Sequence, residues 1–325
     1  MAGKTAEVAP VRKKERKWTV AAIRHDFKMN WQIYLLSIPI IAYFIVFNYI
    51  PMVGLVMAFQ KYDMNVGFLG AGVQWVGFAH FQEFITGPFF WRLLRNTFLI
   101  SIYSLAFSFP MPIIFALLLN EVKNQIFKKT VQTISYLPHF ISMVVICGLI
   151  KDFCESGGML STLAQTLGAY GGQGVNLLEK KELFRVIYIG TDIWQGIGFG
   201  SIIYLAALSS IDQELYEAAV IDGAGRWKQT WHITLPGIAP TIIIMLIMRM
   251  GSLFSVGFEK IILLYNDLTM EVADVISSYV YRVSLLQSSR YDFGAAVGLF
   301  NSVINFVLLM ITNTISRKVS ETSLF

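Results

Sequence analysis

Long apolar stretches without charge alternate with shorter polar segments along the whole chain. Read between the charged residues, they predict six membrane-spanning helices, which run from about Trp31 to Phe59, Asn96 to Leu119, Val131 to Ile150, Val186 to Leu208, Gly237 to Phe258 and Phe293 to Ser316. Each is near or above the ~20 residues that a helix needs to cross ~30 Å of hydrocarbon. The pattern therefore predicts an all-α membrane protein with six transmembrane helices.

The composition excludes a soluble domain. Of the 325 residues, 55% are hydrophobic and only 14% are charged, whereas roughly 25% are charged in soluble proteins. The two cysteines, Cys147 and Cys154, have neither the number of a disulfide framework nor the spacing of a zinc site. We expect no catalytic site and no metal site in this chain.

Basic residues are concentrated near the N-terminus and predict the topology. Eight of the 26 lie in the first 28 positions: Lys4, Arg12, Lys13, Lys14, Arg16, Lys17, Arg24 and Lys28. With both termini inside, the tails and inner loops hold 15 basic residues and the outer loops hold 10. The positive-inside rule then predicts an N-in, C-in protein with a basic cytoplasmic tail (1–30), a six-span domain (31–316) and a cytoplasmic C-terminal tail (317–325). A contact with anionic lipid is the alternative role for the basic tail, and a nucleic-acid-binding arm is disfavoured.

The inner loop between the fourth and fifth spans (209–236) has the pattern of two short helices. Ser210 and Gln213 have capping-box spacing and predict a helix from Ile211 to Ile221, which Gly223 can end in a left-handed conformation. A second helix is expected from Arg226 to about Ile233. Pro236 then suits the first turn of the fifth span. From the pattern alone, the loop is either a surface for another protein or an amphipathic helix on the headgroups.

This loop also carries a resemblance to a known family. Its residues Glu217-Ala218-Ala219, then Gly223, then Leu235-Pro236 resemble the EAA signature of permease subunits of ATP-binding-cassette (ABC) importers, and Asp222 and Ala224 are also typical of it. Further stretches resemble the LplB-type carbohydrate permeases, which include those of alginate and rhamnogalacturonan oligosaccharide importers: Leu117 to Glu121, Tyr136 to Ser142, Ile203 to Leu208 and Asp274 to Ile276.

The resemblance implies the fold and function of a type I importer permease in a bacterial cytoplasmic (inner) membrane. The chain would move oligosaccharides, acidic ones first among the candidates, by ATP-driven alternating access. Its implied partners are a second permease, two ATPase subunits that bind ATP and Mg, and an external solute-binding protein. The chain has no G-x-x-x-x-G-K-[ST] phosphate loop, so it is not expected to be an enzyme by itself or to hold a cofactor.

The resemblance also implies roles for the loop residues. Glu217 would meet a basic residue of the ATPase, Ala218 and Ala219 would permit close contact, and Gly223 would set the bend. Asp222 and Arg226 would either take part in this coupling or hold the bend together.

The substrate pathway is indicated only by polar residues within the spans. Arg249 lies thirteen residues after Pro236, which places it ~20 Å into the membrane, where it either faces a cavity and binds a sugar carboxylate, or makes a structural pair or snorkels outward. Trp194 and Gln195 either contact a sugar ring or anchor the span at the interface. Asn301 and Asn305 share one helix face, where they either line the pathway or bond across helices.

An ion-coupled secondary transporter is the main rival interpretation. The prolines within the second span, Pro110 and Pro112, suit it too, since a kinked helix can face a cavity or simply pack against its neighbours. Such a transporter usually needs an acidic residue in the membrane, and only Asp192 and Glu259 lie near the spans. Neither zinc-protease nor serine-hydrolase motifs occur, which disfavours an intramembrane enzyme.

Overall fold

The computed structural model describes residues 20–63, 65–67, 70, 72–287 and 289–320. Most of the predicted basic tail and the last five residues lie outside the described residues. The described part is built of helices and one short antiparallel strand pair, Gln60–Lys61 with Gln74–Trp75.

The spans form the bulk of the structure. Within the described residues, five helices are long and apolar enough to cross a membrane: Trp31–Phe59, Phe90–Glu121, Lys181–Ser209, Arg226–Gly251 and Tyr291–Lys318. A bent pair, Gln125–Phe140 and Met143–Thr166, makes six if it counts as one span. We number them spans 1 to 6 in chain order, with the bent pair as span 3. The prediction of an all-α membrane protein is confirmed.

Shorter elements connect the spans. They are the helices Val20–Met29, Ala79–Thr86, Gln213–Ile221, Phe258–Leu264, Met270–Ala273 and Ile276–Tyr281, a π-helical turn Arg282–Gln287, and the 3-10 turns Ala169–Gly172 and Leu177–Glu179.

The chain divides into two compact units, residues 1–55 and 56–325. In the first unit, Phe27 of the helix Val20–Met29 stacks on Tyr34 of span 1, with the ring centroids 4.7 Å apart, and the Tyr34 hydroxyl donates to Asp26. No residue of the most apolar window of span 1 is buried. Such a helix is suited to contact with lipid or with another membrane protein rather than with a core of its own.

The second unit holds the packed core. One of its clusters joins spans 2, 4 and 5 next to the loop 209–236, through Ile113 and Ala116 of span 2, Tyr204 and Leu208 of span 4, and Ile238 of span 5. Two further clusters lie around Phe184 of span 4 and around Leu93 of span 2. The loop thus lies next to three spans that pack against one another.

Span 3 corrects the prediction of one straight helix from Val131 to Ile150. Its two halves are inclined by 101°. The first half ends in a 3-10 turn that contains Pro138, Ile141 is extended, and the Ser142 side chain accepts a hydrogen bond from the backbone N–H of Val145. Ser142 therefore caps the start of a new helix, and the proline prevents the first helix from running on.

Span 5 is shifted toward the loop compared with its predicted bounds, Gly237 to Phe258. It begins at Arg226 and ends at Gly251. The predicted second loop helix is therefore its first turns, joined through a π-helical turn at Thr230–Thr234. Pro236 lies inside this longer continuous helix, where the wider turn before it accommodates the missing N–H and the ring.

Glycine at position 198 permits close contact between spans 3 and 4. A Cβ atom there would lie 2.2 Å from the carbonyl oxygen of Ser135, so Gly198→Ala forces two backbones apart. We expect the substitution to lower the free energy of unfolding by about 1–3 kcal/mol or more. The measurement is the thermal unfolding midpoint of the purified protein, which should fall. Gly190→Ala is the matched control, since Gly190 is in the same span with nothing within 4 Å of the added atom. Equal midpoints for the two variants would contradict this account of the contact.

Candidate coupling loop and translocation site

The first loop helix, Gln213–Ile221, begins two residues later than predicted. Asp212 is its N-cap, and its carboxylate accepts a hydrogen bond from the backbone N–H of Glu214 at 3.1 Å. The predicted capping box at Ser210 is wrong, because the Ser210 hydroxyl donates to the carbonyl of Ala207. Ser210 thus belongs to the end of span 4.

The helix ends at Gly223 in the predicted left-handed conformation, with φ of +74°. The backbone N–H of Gly223 donates to the carbonyl of Val220 and that of Ala224 to the carbonyl of Ala219, at 3.0 and 2.8 Å. These bonds satisfy carbonyls at the end of the helix. Nothing lies within 4 Å of a Cβ built at this position, so the backbone angle and not space favours glycine here.

The loop presents apolar side chains to its surroundings. Glu217 and Ala218 are exposed and Ala219 is half-buried. Large apolar side chains around them are also exposed, namely Leu215, Val220, Ile221, Trp227 and Trp231. Several large exposed apolar side chains on one short segment, beside a charged residue, are typical of a protein interaction site.

Three contacts fix the loop to the spans. The Tyr216 hydroxyl hydrogen-bonds the Thr234 hydroxyl of span 5 at 3.0 Å. Arg226 forms an ion pair with Glu121 at the end of span 2, rather than with Asp222 across the bend. Leu235 packs against the core cluster that joins spans 2, 4 and 5, whereas Pro236 is exposed.

A charged cavity lies at the other end of span 5. The guanidinium of Arg249 donates to the hydroxyl of Ser104 in span 2 at 2.6 Å, and this hydroxyl donates to Asp192 of span 4 at 3.3 Å. Lys260 lies 3.5 Å from Asp192 and donates to the carbonyl of Tyr188 at 2.8 Å. These groups line a cavity of about 190 Å³.

A second cavity of about 390 Å³ shares Asp192 and Arg249 with the first. Pro112 of span 2 lines it, together with Gly196 and Gly200 of span 4. The ring of Pro112 also lies within 3.1 Å of a Cβ built at Gly200. The proline-containing part of span 2 therefore both faces a cavity and packs against its neighbour.

The other four predicted pathway residues do not line these two cavities. Trp194 faces span 3 and lines an apolar cavity of about 320 Å³ with Ile150 and Phe153, and Gln195 is half-buried. Asn305 accepts from the backbone N–H of Phe254 and Asn301 donates to its carbonyl. The two asparagines thus satisfy the backbone just beyond the end of span 5.

The pairing of Asp192 with Lys260 was missed by sequence reasoning. Asp192 is the lone charge of the predicted fourth span, and Lys260, 68 positions later, follows the predicted end of the fifth. Only the break after Gly251, which starts the separate helix Phe258–Leu264, brings Lys260 back to span 4. Among the described residues, no group of three or more His, Cys, Asp or Glu side chains is placed to hold a metal ion.

Comparison with known proteins identifies the family. The family described as "Binding-protein-dependent transport system inner membrane component" matches residues 108–321, which include the loop and both cavities' lining from spans 4 and 5. The chain belongs to this family. Protein LplB of Bacillus subtilis (strain 168) is 41% identical over 307 residues, which cover 94% of this chain and 93% of LplB.

Two further proteins are similar over most of their length. The polygalacturonan/rhamnogalacturonan transport system permease protein YteP of Bacillus subtilis (strain 168) is 42% identical over 294 residues, 90% of each chain. A chain in the crystal structure of a bacterial ABC transporter involved in the import of the acidic polysaccharide alginate has a TM-score of 0.83 and 43% identity, with 92% of this chain and 99% of that chain covered. The chain is therefore a multi-pass permease subunit of an ABC importer, as the resemblance implied.

Proposed function

We propose that this permease forms one half of the translocation pathway for acidic oligosaccharides in a bacterial cytoplasmic membrane. The observation that carries the proposal is Arg249, which lines both cavities and is hydrogen-bonded to the neutral Ser104. The likeness to a polygalacturonan/rhamnogalacturonan permease and to an alginate importer supports it.

The charges around the cavity leave Arg249 available. Asp192 lies against Lys260, and the lysine side chain is almost completely buried. The negative charge of Asp192 is therefore balanced by a lysine that cannot turn to solvent. Glu259 also lines the smaller cavity, but among the described residues neither it nor Asp192 forms an ion pair with Arg249, whose hydrogen bond goes to Ser104, so the guanidinium of Arg249 is available to a carboxylate. Its planar fork matches a carboxylate with two parallel hydrogen bonds, and the interaction is stronger in a cavity that excludes water.

The loop 209–236 supports coupling to an ATPase. In this proposal, two ATPase subunits bind ATP and Mg and contact the exposed residues around Glu217, Ala218 and Ala219. Arg226 and Arg249 are 23 residues apart in one continuous helix, which corresponds to ~35 Å. A displacement of the loop would thus be carried along span 5 to the cavity.

Two more partners complete the proposed transporter. A second permease would supply the other wall of the pathway, and an external solute-binding protein would deliver the oligosaccharide. The alginate ABC transporter has also been crystallised in complex with its alginate pentasaccharide-bound periplasmic protein; that permease chain is 44% identical to this one.

Replacing Arg249 by glutamine tests the role of the cavity. Hydrogen bonds to charged groups contribute about 1.5–3 kcal/mol, so we expect uptake of a uronate oligosaccharide to fall about tenfold or more. Arg249→Lys should retain part of the activity, because it keeps the charge and loses the fork. Uptake is measured in proteoliposomes at saturating loaded binding protein. Wild-type uptake by Arg249→Gln would refute the proposed contact.

A further inference from the structure

A second group of charges lies at the predicted outer ends of spans 2 and 4. We call it the outer cluster; it consists of Arg92, Arg95, Lys181, Arg185, Glu271, Asp274 and Arg282. Spans 2 and 4 supply the first four, and the segment between the helix Phe258–Leu264 and span 6 supplies the other three. Five cations thus surround two carboxylates.

Both carboxylates are already neutralised within the cluster. Asp274 is completely buried and accepts two hydrogen bonds from Arg282, at 2.7 and 3.2 Å, and a third from Ser278 at 2.8 Å. Glu271 pairs with Lys181, and the pKa of its carboxyl lies below the ordinary value because of that hydrogen bond and charge and because of the nearby charges of Arg92 and Arg95.

The remaining arginines lack a carboxylate of their own. Arg185 donates to the side-chain oxygen of Asn96 at 2.9 Å and to the carbonyl of Val272 at 3.4 Å, both neutral, and its Nε is buried without a hydrogen-bond partner in the described structure. Arg92 reaches the already paired Asp274 at 3.4 Å, and its Nε likewise has no partner among the described atoms.

Arg95 has the greatest freedom to bind something new. Its side chain is exposed and makes no hydrogen bond or ion pair with any residue that the structure describes. Its positive charge interacts electrostatically with both Arg185 and Glu271. Arg92 and Arg185 are half-buried, and a partly buried charge without a counter-charge of its own is unfavourable. The cluster therefore has an unmet preference for a carboxylate.

We infer that the outer cluster is an entry site, in which Arg95 and Arg185 bind a uronate carboxylate of the oligosaccharide before it reaches Arg249. This inference rests on the proposed function. Arg185 precedes Asp192 by seven residues in span 4, and Arg95 precedes Ser104 by nine in span 2, which are ~10 and ~14 Å along the helices. The two helices that carry the entry site thus also line the charged cavity.

An acidic side chain of the solute-binding protein is the competing occupant. The oligosaccharide is favoured because Arg185 is half-buried, is held by Asn96, and shares a face of span 4 with the cavity residue Asp192 seven positions later. A docking contact would need only exposed charges such as Arg95. The test must therefore separate delivery of the sugar from docking of the protein.

The experiment uses the whole transporter in proteoliposomes with its binding protein. We expect Arg95→Gln to lower the uptake rate of a uronate trisaccharide three- to tenfold at saturating loaded binding protein. The binding-protein concentration that half-saturates the ATPase should change less than twofold. Arg95→Lys should restore most of the uptake, and Lys151→Gln, an exposed outer cation on span 3, should behave as wild type.

Each other outcome overturns the assignment. Unchanged uptake by Arg95→Gln would show that the cluster does not bind the sugar. A shift in the half-saturating concentration of binding protein that matches the loss of uptake would show a docking contact instead. Failure of the wild-type transporter to take up uronate oligosaccharides, with uptake of neutral ones intact, would refute the proposed function and the entry site with it.

Discussion

Replacing Glu217 by lysine is expected to reduce oligosaccharide uptake about 100-fold or more, while the assembled complex still hydrolyses ATP. Glu217 is exposed on the loop helix Gln213–Ile221, where the proposed ATPase interface would enclose it. Losing one partner of an enclosed charge pair costs about 3–5 kcal/mol, and a reversed charge adds repulsion. The measurement compares uptake with ATP hydrolysis in the same proteoliposomes.

A matched charge reversal on the other side of the membrane is the control. Glu182 is also exposed, near the predicted outer end of span 4, so Glu182→Lys changes the net charge equally without touching the loop. It should keep near-normal uptake per ATP hydrolysed. Normal uptake by Glu217→Lys would contradict the coupling role of the loop.

Replacing Asp274 by asparagine is expected to destabilise the protein by about 3–5 kcal/mol. Asp274 is completely buried and is the shared acceptor of Arg282 and Arg92. Its neutralisation leaves two adjacent guanidinium groups without a buried counter-charge. The thermal unfolding midpoint of the purified transporter, or the amount that survives extraction from the membrane, measures the effect.

The neighbouring carboxylate provides the comparison. Glu271 pairs with Lys181 at the surface, with both side chains about half-exposed or more, so Glu271→Gln should cost less than about 1 kcal/mol. The double variant Asp274→Asn, Arg282→Gln should recover part of the loss, because it removes one of the two stranded charges. A single Asp274→Asn variant as stable as wild type would contradict the structural role of this pair.

Features with a local cause could be predicted from the sequence. The spans follow from apolar runs that only a membrane or a core can accept, and the left-handed end at Gly223 follows from the chemistry of one residue. The EAA-like loop is recognisable because its residues all lie within one short segment of the chain. The cavity-facing alternative for Arg249 followed from the cost of a charge within an apolar span.

Features that depend on contacts between distant segments could not be predicted from the sequence. The 101° bend of span 3 needs Pro138 and Ser142 to act together, and both residue types also occur inside spans that are single continuous helices. Whether Asn301 and Asn305 face a pathway or a neighbour depends on where span 5 ends, at Gly251. The pairs of Asp192 with Lys260 and Asp274 with Arg92 join segments far apart in the chain, so no local sequence pattern predicts them.

The most direct test of acidic oligosaccharide import is ATP-dependent uptake by the reconstituted transporter. The permease is assembled with its second permease, its ATPase subunits and the solute-binding protein, and is given uronate oligomers or neutral oligomers of the same length. The account predicts that uronate oligomers are accumulated and stimulate ATP hydrolysis, and that neutral ones do so at least about tenfold less. Equal uptake of both, or accumulation driven by an ion gradient without ATP, would contradict it.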